Sequence, residues 1–256
     1  MRNVWAIFKK ELRLYFHSPI AYVVLTMFLI IMGWLFYGNL ASFSRISVQA
    51  VQNPRLSSQL SATAMVFAPL IGNMTIVLLF IIPALTMRLF AEEKKQGTFE
   101  LLYTYPIRDS EVLFGKYLAC VTVFLVMLAL TALYPILIAV MGTLELAPVL
   151  AGYLGIFLLG LTFVSVGVLM SAVTKNQLVA FVLAFGVLLF FWVLGFASSF
   201  LGPKLGAALS HASLIEHVNS FSRGIITTRD LIYYLNFSVF CLFLTVQALA
   251  SHRWKG

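Results

Sequence analysis

The stretch "ATAMVFAPLIGNMTIVLLFIIPALTM", Ala62–Met87, runs for 26 residues without a Lys, Arg, Asp, Glu or His. A hydrocarbon core of about 30 Å is crossed by roughly 20 apolar residues in a helix, since each adds about 1.5 Å of rise. A membrane strand would alternate apolar with polar residues, whereas this run is apolar on every face. Five more runs share its character: residues 20–41, 117–141, 147–173, 178–201 and 231–250, none with an ionisable Lys, Arg, Asp, Glu or His. The composition agrees, at 61% hydrophobic and 10% charged with a mean hydropathy of +0.99, values outside the range of soluble domains. The expected fold is therefore an all-α integral membrane protein, a single transmembrane domain over 1–256 with six spanning helices. Cys120 and Cys241 fall inside spans and read as buried thiols without a disulfide.

The polar segments between these runs set the orientation. Twelve of the Lys and Arg residues flank one side: Arg2, Lys9, Lys10 and Arg13; Arg88, Lys94, Lys95, Arg108 and Lys116; Lys175; Arg253 and Lys255. The other side carries five: Arg45, Arg55, Lys204, Arg223 and Arg229. Positive residues stay cytoplasmic, so both termini and the 88–116 connection are expected in the cytosol. The net charge of +8 then reflects topology and lipid headgroups, and calls for no nucleic acid. Residues 20–41 are longer than a signal-peptide core and follow a basic helical segment, which argues against a cleaved leader.

What is missing excludes several classes. Ion-coupled carriers and proton pumps keep charged residues within their spans; here the polar residues are Asn39, Asn73, Asn236, Gln247 and scattered Ser and Thr, suited to interhelical hydrogen bonds. Pro69, Pro83 and Pro135 are expected to kink their helices, and Gly152, Gly155, Gly160 and Gly167 point to close helix approach. No Gly-Lys-Ser/Thr phosphate loop is present, so the chain does not bind ATP in that manner. His211, Glu216 and His217 lie close in sequence but do not share one helical face, so no metal site or catalytic group is assigned.

Two amphipathic pieces and one outer loop remain. In "NVWAIFKKELRLYF", Asn3–Phe16, the basic residues occupy one arc and apolar ones the rest, as in a helix lying on the membrane surface over residues 1–19. Glu11 is its misfit, in the middle of the apolar arc, either snorkelling or meeting the neighbouring cytosolic loop. The outer stretch 202–230 has near-helical apolar spacing but no spanning run, and reads as short re-entrant or lid helices.

The second piece, "AEEKKQGTFELLYTYP", Ala91–Pro106, is too short to span and too apolar for water. Lys94 and Lys95 followed by Gly97 suit a helix end with a left-handed glycine cap. Thr98 can cap a new helix, with Glu100 in its first turn, that Pro106 stops. Two turns of helix are not stable alone, so the apolar face needs a groove, and Leu101 and Tyr103 are the expected contacts at its floor.

The order acid–x–x–x–x–Gly-Thr–x–Glu-Leu-Leu–x–x–x–Pro over Glu92–Pro106 resembles the coupling segment of type-2 ABC exporter permeases. "FKKELRLYFHSP", Phe8–Pro19, is similar to their N-terminal interfacial helix. "FSRGIITTRDLIYYL", Phe221–Leu235, resembles the stretch before the last helix in the subset tied to gliding motility and nitrous-oxide-reductase maturation. Together with the matching six-helix plan, the resemblance covers nearly the whole chain. The resemblance implies a non-catalytic permease subunit in the bacterial inner membrane, with no cofactor of its own, since ATP and Mg would belong to a separate cytosolic ATPase. It implies docking and coupling through Glu93, Gly97, Thr98, Glu100, Leu101, Leu102, Tyr103 and Pro106, a contact at Glu11, and outer-loop roles for Phe221, Arg223, Gly224 and Asp230. The partners implied are that ATPase, a second permease chain, identical or related, and a periplasmic protein. The alternatives are a secondary carrier or channel, which leaves the Ala91–Pro106 segment unexplained, and a membrane anchor that recruits a cytosolic protein without transport.

Overall fold

The computed structural model describes residues 2–51, 61–98, 107–141, 144–197, 200 and 202–253. Among them there is no strand. Helix α1 is Arg2–His17 and α2 is Pro19–Val51. A π-helical turn at Thr63–Phe67 leads into α3, Ala68–Thr86, and α4, Arg88–Lys95, continues it. Then follow α5 (Asp109–Thr131), α6 (Leu133–Met141), α7 (Leu146–Val173), α8 (Gln177–Ala197), α9 (Pro203–Ala212), α10 (Leu214–Ser222) and α11 (Thr228–Arg253). Among the described residues, six continuous helical stretches are long and apolar enough to cross a bilayer.

Each proline is accommodated by a local route. Pro69 has no N–H to give the preceding turn, and that turn widens, with the Ala68 N–H reaching back to Thr63. Pro83 is accommodated inside α3, where the Thr86 hydroxyl donates to the carbonyls of Ile82 and Pro83 at 2.9 and 3.3 Å. Pro135 interrupts the third span at Ala132, whose N–H reaches only to Ala129; the span is thus two helices, α5 and α6. The first span runs past residue 41 to Val51. Ser42 and Ser47 donate to the carbonyls of Gly38 and Phe43, so the polar continuation stays helical.

At the centre stands α7: 72% of the residues in its 18-residue apolar stretch are buried, against 17% for α8 and 22% for α2 and α11. Its glycines create that position. A Cβ at Gly152 would come within 2.9 Å of Phe67, and one at Gly155 within 2.6 Å of Phe221. At Gly160 and Gly167 it would overlap Phe124 and Thr86 outright. Four glycines thus seat side chains from the π turn, α10, α5 and α3. The fit brings backbones close where lipid tails offer no hydrophobic driving force for helix association.

The bundle has two distinct ends. The basic end carries α1, α4 and the start of α5. The far end is covered by α9 and α10, the two short helices expected in 202–230. Helix α10 turns Leu214, His217, Val218 and Phe221 inward and packs on α7, α3 and α8.

Candidate functional site at the basic end

Helix α1 crosses α5 at Gly115, where a Cβ would meet Ile7 at 2.7 Å and the Val4 carbonyl at 3.1 Å. Much of the apolar arc assigned to lipid therefore faces protein: Tyr15 is buried, and Ile7, Phe8 and Leu12 pack on the core. The crossing brings Glu11, which is 5% exposed, over Lys116, which is 2% exposed.

Lys116 is the hub. Its ammonium donates to Glu11 Oε1 at 2.9 Å and to the Leu89 carbonyl at 2.7 Å, and stands 3.0 Å from Glu93 Oε1. Three acceptors match the three N–H bonds of an ammonium, and the Phe90 ring lies 5.3 Å away. Lys10, on the exposed side of α1, adds a contact to Glu93 Oε1 at 3.3 Å. Helices α1, α4 and α5 are thus joined by one charge cluster. The misfit of Glu11 is a polar contact, made to Lys116 together with the helix that leads to residue 98.

Further bonds fix α4 against the rest. Ser171 Oγ accepts from the backbone N–H groups of Phe90 and Ala91 and donates to the Met87 carbonyl, fastening α4 to the end of α7. Lys94 donates to the Ala172 carbonyl. Burial, with Lys175 adding repulsion, lowers the Lys94 ammonium from 10.5 to about 8. Tyr15 donates to the Leu85 carbonyl at 2.9 Å and lies under the Arg88 guanidinium; burial raises its phenol well above the ordinary value. Glu111 accepts the Arg108 backbone N–H at the start of α5 and the Asn3 side-chain amide at 3.1 Å. The Asn3 bond is the leading cause holding this carboxyl below its ordinary value.

Beyond Lys95 the helix ends as its sequence suggests. Gly97 has φ of 71°, the left-handed region glycine favours. Thr98, expected to cap a following helix, donates its hydroxyl to the Glu93 carbonyl at 3.3 Å and closes the preceding one. Glu100, Leu101, Leu102, Tyr103 and Pro106 lie outside the described residues. Beside Thr98 opens a cavity of about 400 Å³ whose lining includes Lys10, Glu11, Arg88, Glu92, Glu93 and Lys116.

The sequence did not single out Lys116, which entered only as one of the orientation charges. The signal was available in Glu11: an acid inside an apolar arc requires a buried base, and Lys116 borders the next span.

At the far end the outer-loop residues divide. Phe221 is buried at Gly155, and Gly224, at φ 82°, closes α10 against Pro148. Asp230 is buried and paired with His217 at 2.6 Å. Arg223 is exposed at the helix end.

Residues 5–252 match the family model described as ABC-2 family transporter protein. No curated protein matches the chain.

Proposed function

The chain belongs to the ABC-2 transporter family as a multi-pass membrane permease, and on that footing we propose that it turns ATP hydrolysis on a separate ATPase chain into export, or into a mechanical or assembly task, across the bacterial inner membrane. The basic end faces the cytosol, as the distribution of Lys and Arg supports. Residues 98–106 dock in a groove of the ATPase, with Leu101 and Tyr103 at its floor and Glu100 at its rim, and ATP and Mg bind in that partner. A second permease chain, identical or related, completes the transporter. The outer stretch Phe221–Leu235 supports the gliding-motility and nitrous-oxide-reductase-maturation subset, with a periplasmic partner at the far end.

The observation that carries this reading is the Lys116 cluster. Force on the docking segment reaches α4 through Gly97, and Glu93 shares Lys116 with Glu11, so α1, α4 and α5 move as one block. Through Ser171 that block pulls on α7, the helix around which the others are packed.

The test is co-purification with the ATPase after Leu101→Asp with Tyr103→Ala. Two buried side chains of this size contribute roughly 2–5 kcal/mol at about 25 cal/mol per Å², so the variant is expected to reach the membrane folded but lose the ATPase. Wild-type affinity in a normally expressed variant overturns the docking assignment.

A further inference from the structure

The far-end cap holds a buried charge pair that the coupling scheme does not use. His217, on α10, directs Nδ1 at Asp230 Oδ1 of α11, 2.6 Å away, and Nε2 at the backbone carbonyl of His211 in α9, 3.2 Å away. Both partners are acceptors. A neutral imidazole has one N–H and serves only one of them. The geometry therefore needs two protons: one on Nε2, and one in the Nδ1–Oδ1 bond, whichever atom it sits nearer.

Beside the pair, the Arg229 guanidinium lies 2.5 Å from the His211 ring Nε2. His217 and Asp230 are each 5% exposed, and Asp230 Oδ2 is buried without a partner. His211, Glu216 and Arg229 border the same small cavity, with all three exposed to solvent. Helices α3, α7 and α8, on which α10 packs, contain no Lys, Arg, Asp, Glu or His. From α11, Tyr233 stacks on the imidazole with ring centroids 4.1 Å apart and donates to the Ala212 carbonyl, while Tyr234, edge-on to the ring, donates to the Leu214 carbonyl. These phenols join α11 to the α9–α10 corner whatever the protonation, whereas the imidazole bridges all three helices only when doubly protonated.

We propose that His217 and Asp230 form a proton-operated latch on the far-end cap, closed while the pair holds two protons and loosened when one leaves. Loss of a proton places a ring lone pair against the carboxylate or the His211 carbonyl, and one of the two bonds becomes repulsive. The cap then keeps the tyrosine contacts and the apolar packing of Leu214, Val218 and Phe221 but loses this polar bridge.

The experiment uses the full chain in lipid nanodiscs, without any ATPase, in a background lacking Cys120 and Cys241. Spin labels at Asn219→Cys on α10 and Leu146→Cys on α7 report their separation by electron–electron resonance between about pH 5 and 9. The expected result is a shift to longer distances as pH rises, absent in His217→Gln, which is uncharged throughout. An unchanged distance across the range, or the same pH response in His217→Gln, overturns the latch. Should His217→Gln fail to fold, ¹⁵N-histidine spectra of the wild type decide: a His217 ring protonated on both nitrogens at low pH that loses one as the cap shifts supports the proposal. A ring singly protonated throughout, beside an Asp230 carboxyl that stays ionised throughout, overturns it.

Discussion

Lys116 and Glu11, 105 positions apart in the chain, meet at 2.9 Å with both side chains almost wholly out of solvent. A buried ion pair adds little over a well-packed apolar pair, but removing one partner strands the other and costs about 3–5 kcal/mol. Lys116→Met should therefore lower the thermal unfolding midpoint in detergent sharply, since Glu93 and the buried Glu11 are then left to the exposed Lys10. Lys116→Met with Glu11→Gln should recover much of that loss. A double variant as unstable as Lys116→Met alone would show that the two residues are not coupled.

Gly97 tests the direction in which the docking segment leaves α4. Its φ of 71° disfavours a side chain by about 1 kcal/mol, more for a β-branched one. Among the described residues no atom lies within 4 Å of where a Cβ would go, so the effect argued here is one of backbone conformation. Gly97→Val should retain some ATPase binding yet lose ATP-dependent function, and Gly97→Asn should lose less, because asparagine tolerates the left-handed region. Side-by-side assays of assembly and function in which Val and Asn behave alike would remove the cap from the account.

Gly160 tests the packing of the central helix. A Cβ there would overlap the Phe124 ring on α5, and overpacking of this kind costs about 1–3 kcal/mol. Gly160→Ala should destabilise the purified chain, and Phe124→Leu in the same molecule should restore part of the loss. Unfolding curves of the two single variants and the pair measure the rescue. Strict additivity would mean that α5 and α7 do not meet there as described.

Lys94 gives the basic end a pH dependence of definite sign. With the ammonium lowered to about 8 in the folded chain and ordinary when unfolded, its burial penalty is fully present below about pH 8. As pH rises from there toward 10.5 the unfolded chain holds the extra proton, so this residue's contribution makes stability increase. Lys94→Met removes the contribution. The unfolding midpoint of the wild type, taken relative to Lys94→Met, should therefore climb over that interval, and parallel pH curves would contradict the shift.

The amino-acid sequence by itself determined the architecture: six uncharged runs fix six membrane-crossing helices, because a backbone in hydrocarbon must satisfy its hydrogen bonds within each segment. It also marked the glycine at residue 97 as a helix end and 202–230 as short helices, since each rests on local backbone chemistry. Tertiary structure alone decided which helix is central. All six spans are apolar on every face, so hydropathy does not separate a lipid-facing Leu from a buried one, and α7 is distinguished by what its glycines receive: Phe67, Phe221, Phe124 and Thr86. Tertiary structure likewise chose the partners of isolated charges. Glu11 was visibly out of place on its helix, but only the crossing at Gly115 carries it to Lys116. Asp230 and His217 stood in one outer loop with no reading that paired them, and the turn at Gly224 brings them together. An ion pair depends on distance in space, and the residues that close these distances belong to segments whose local patterns carry no record of each other.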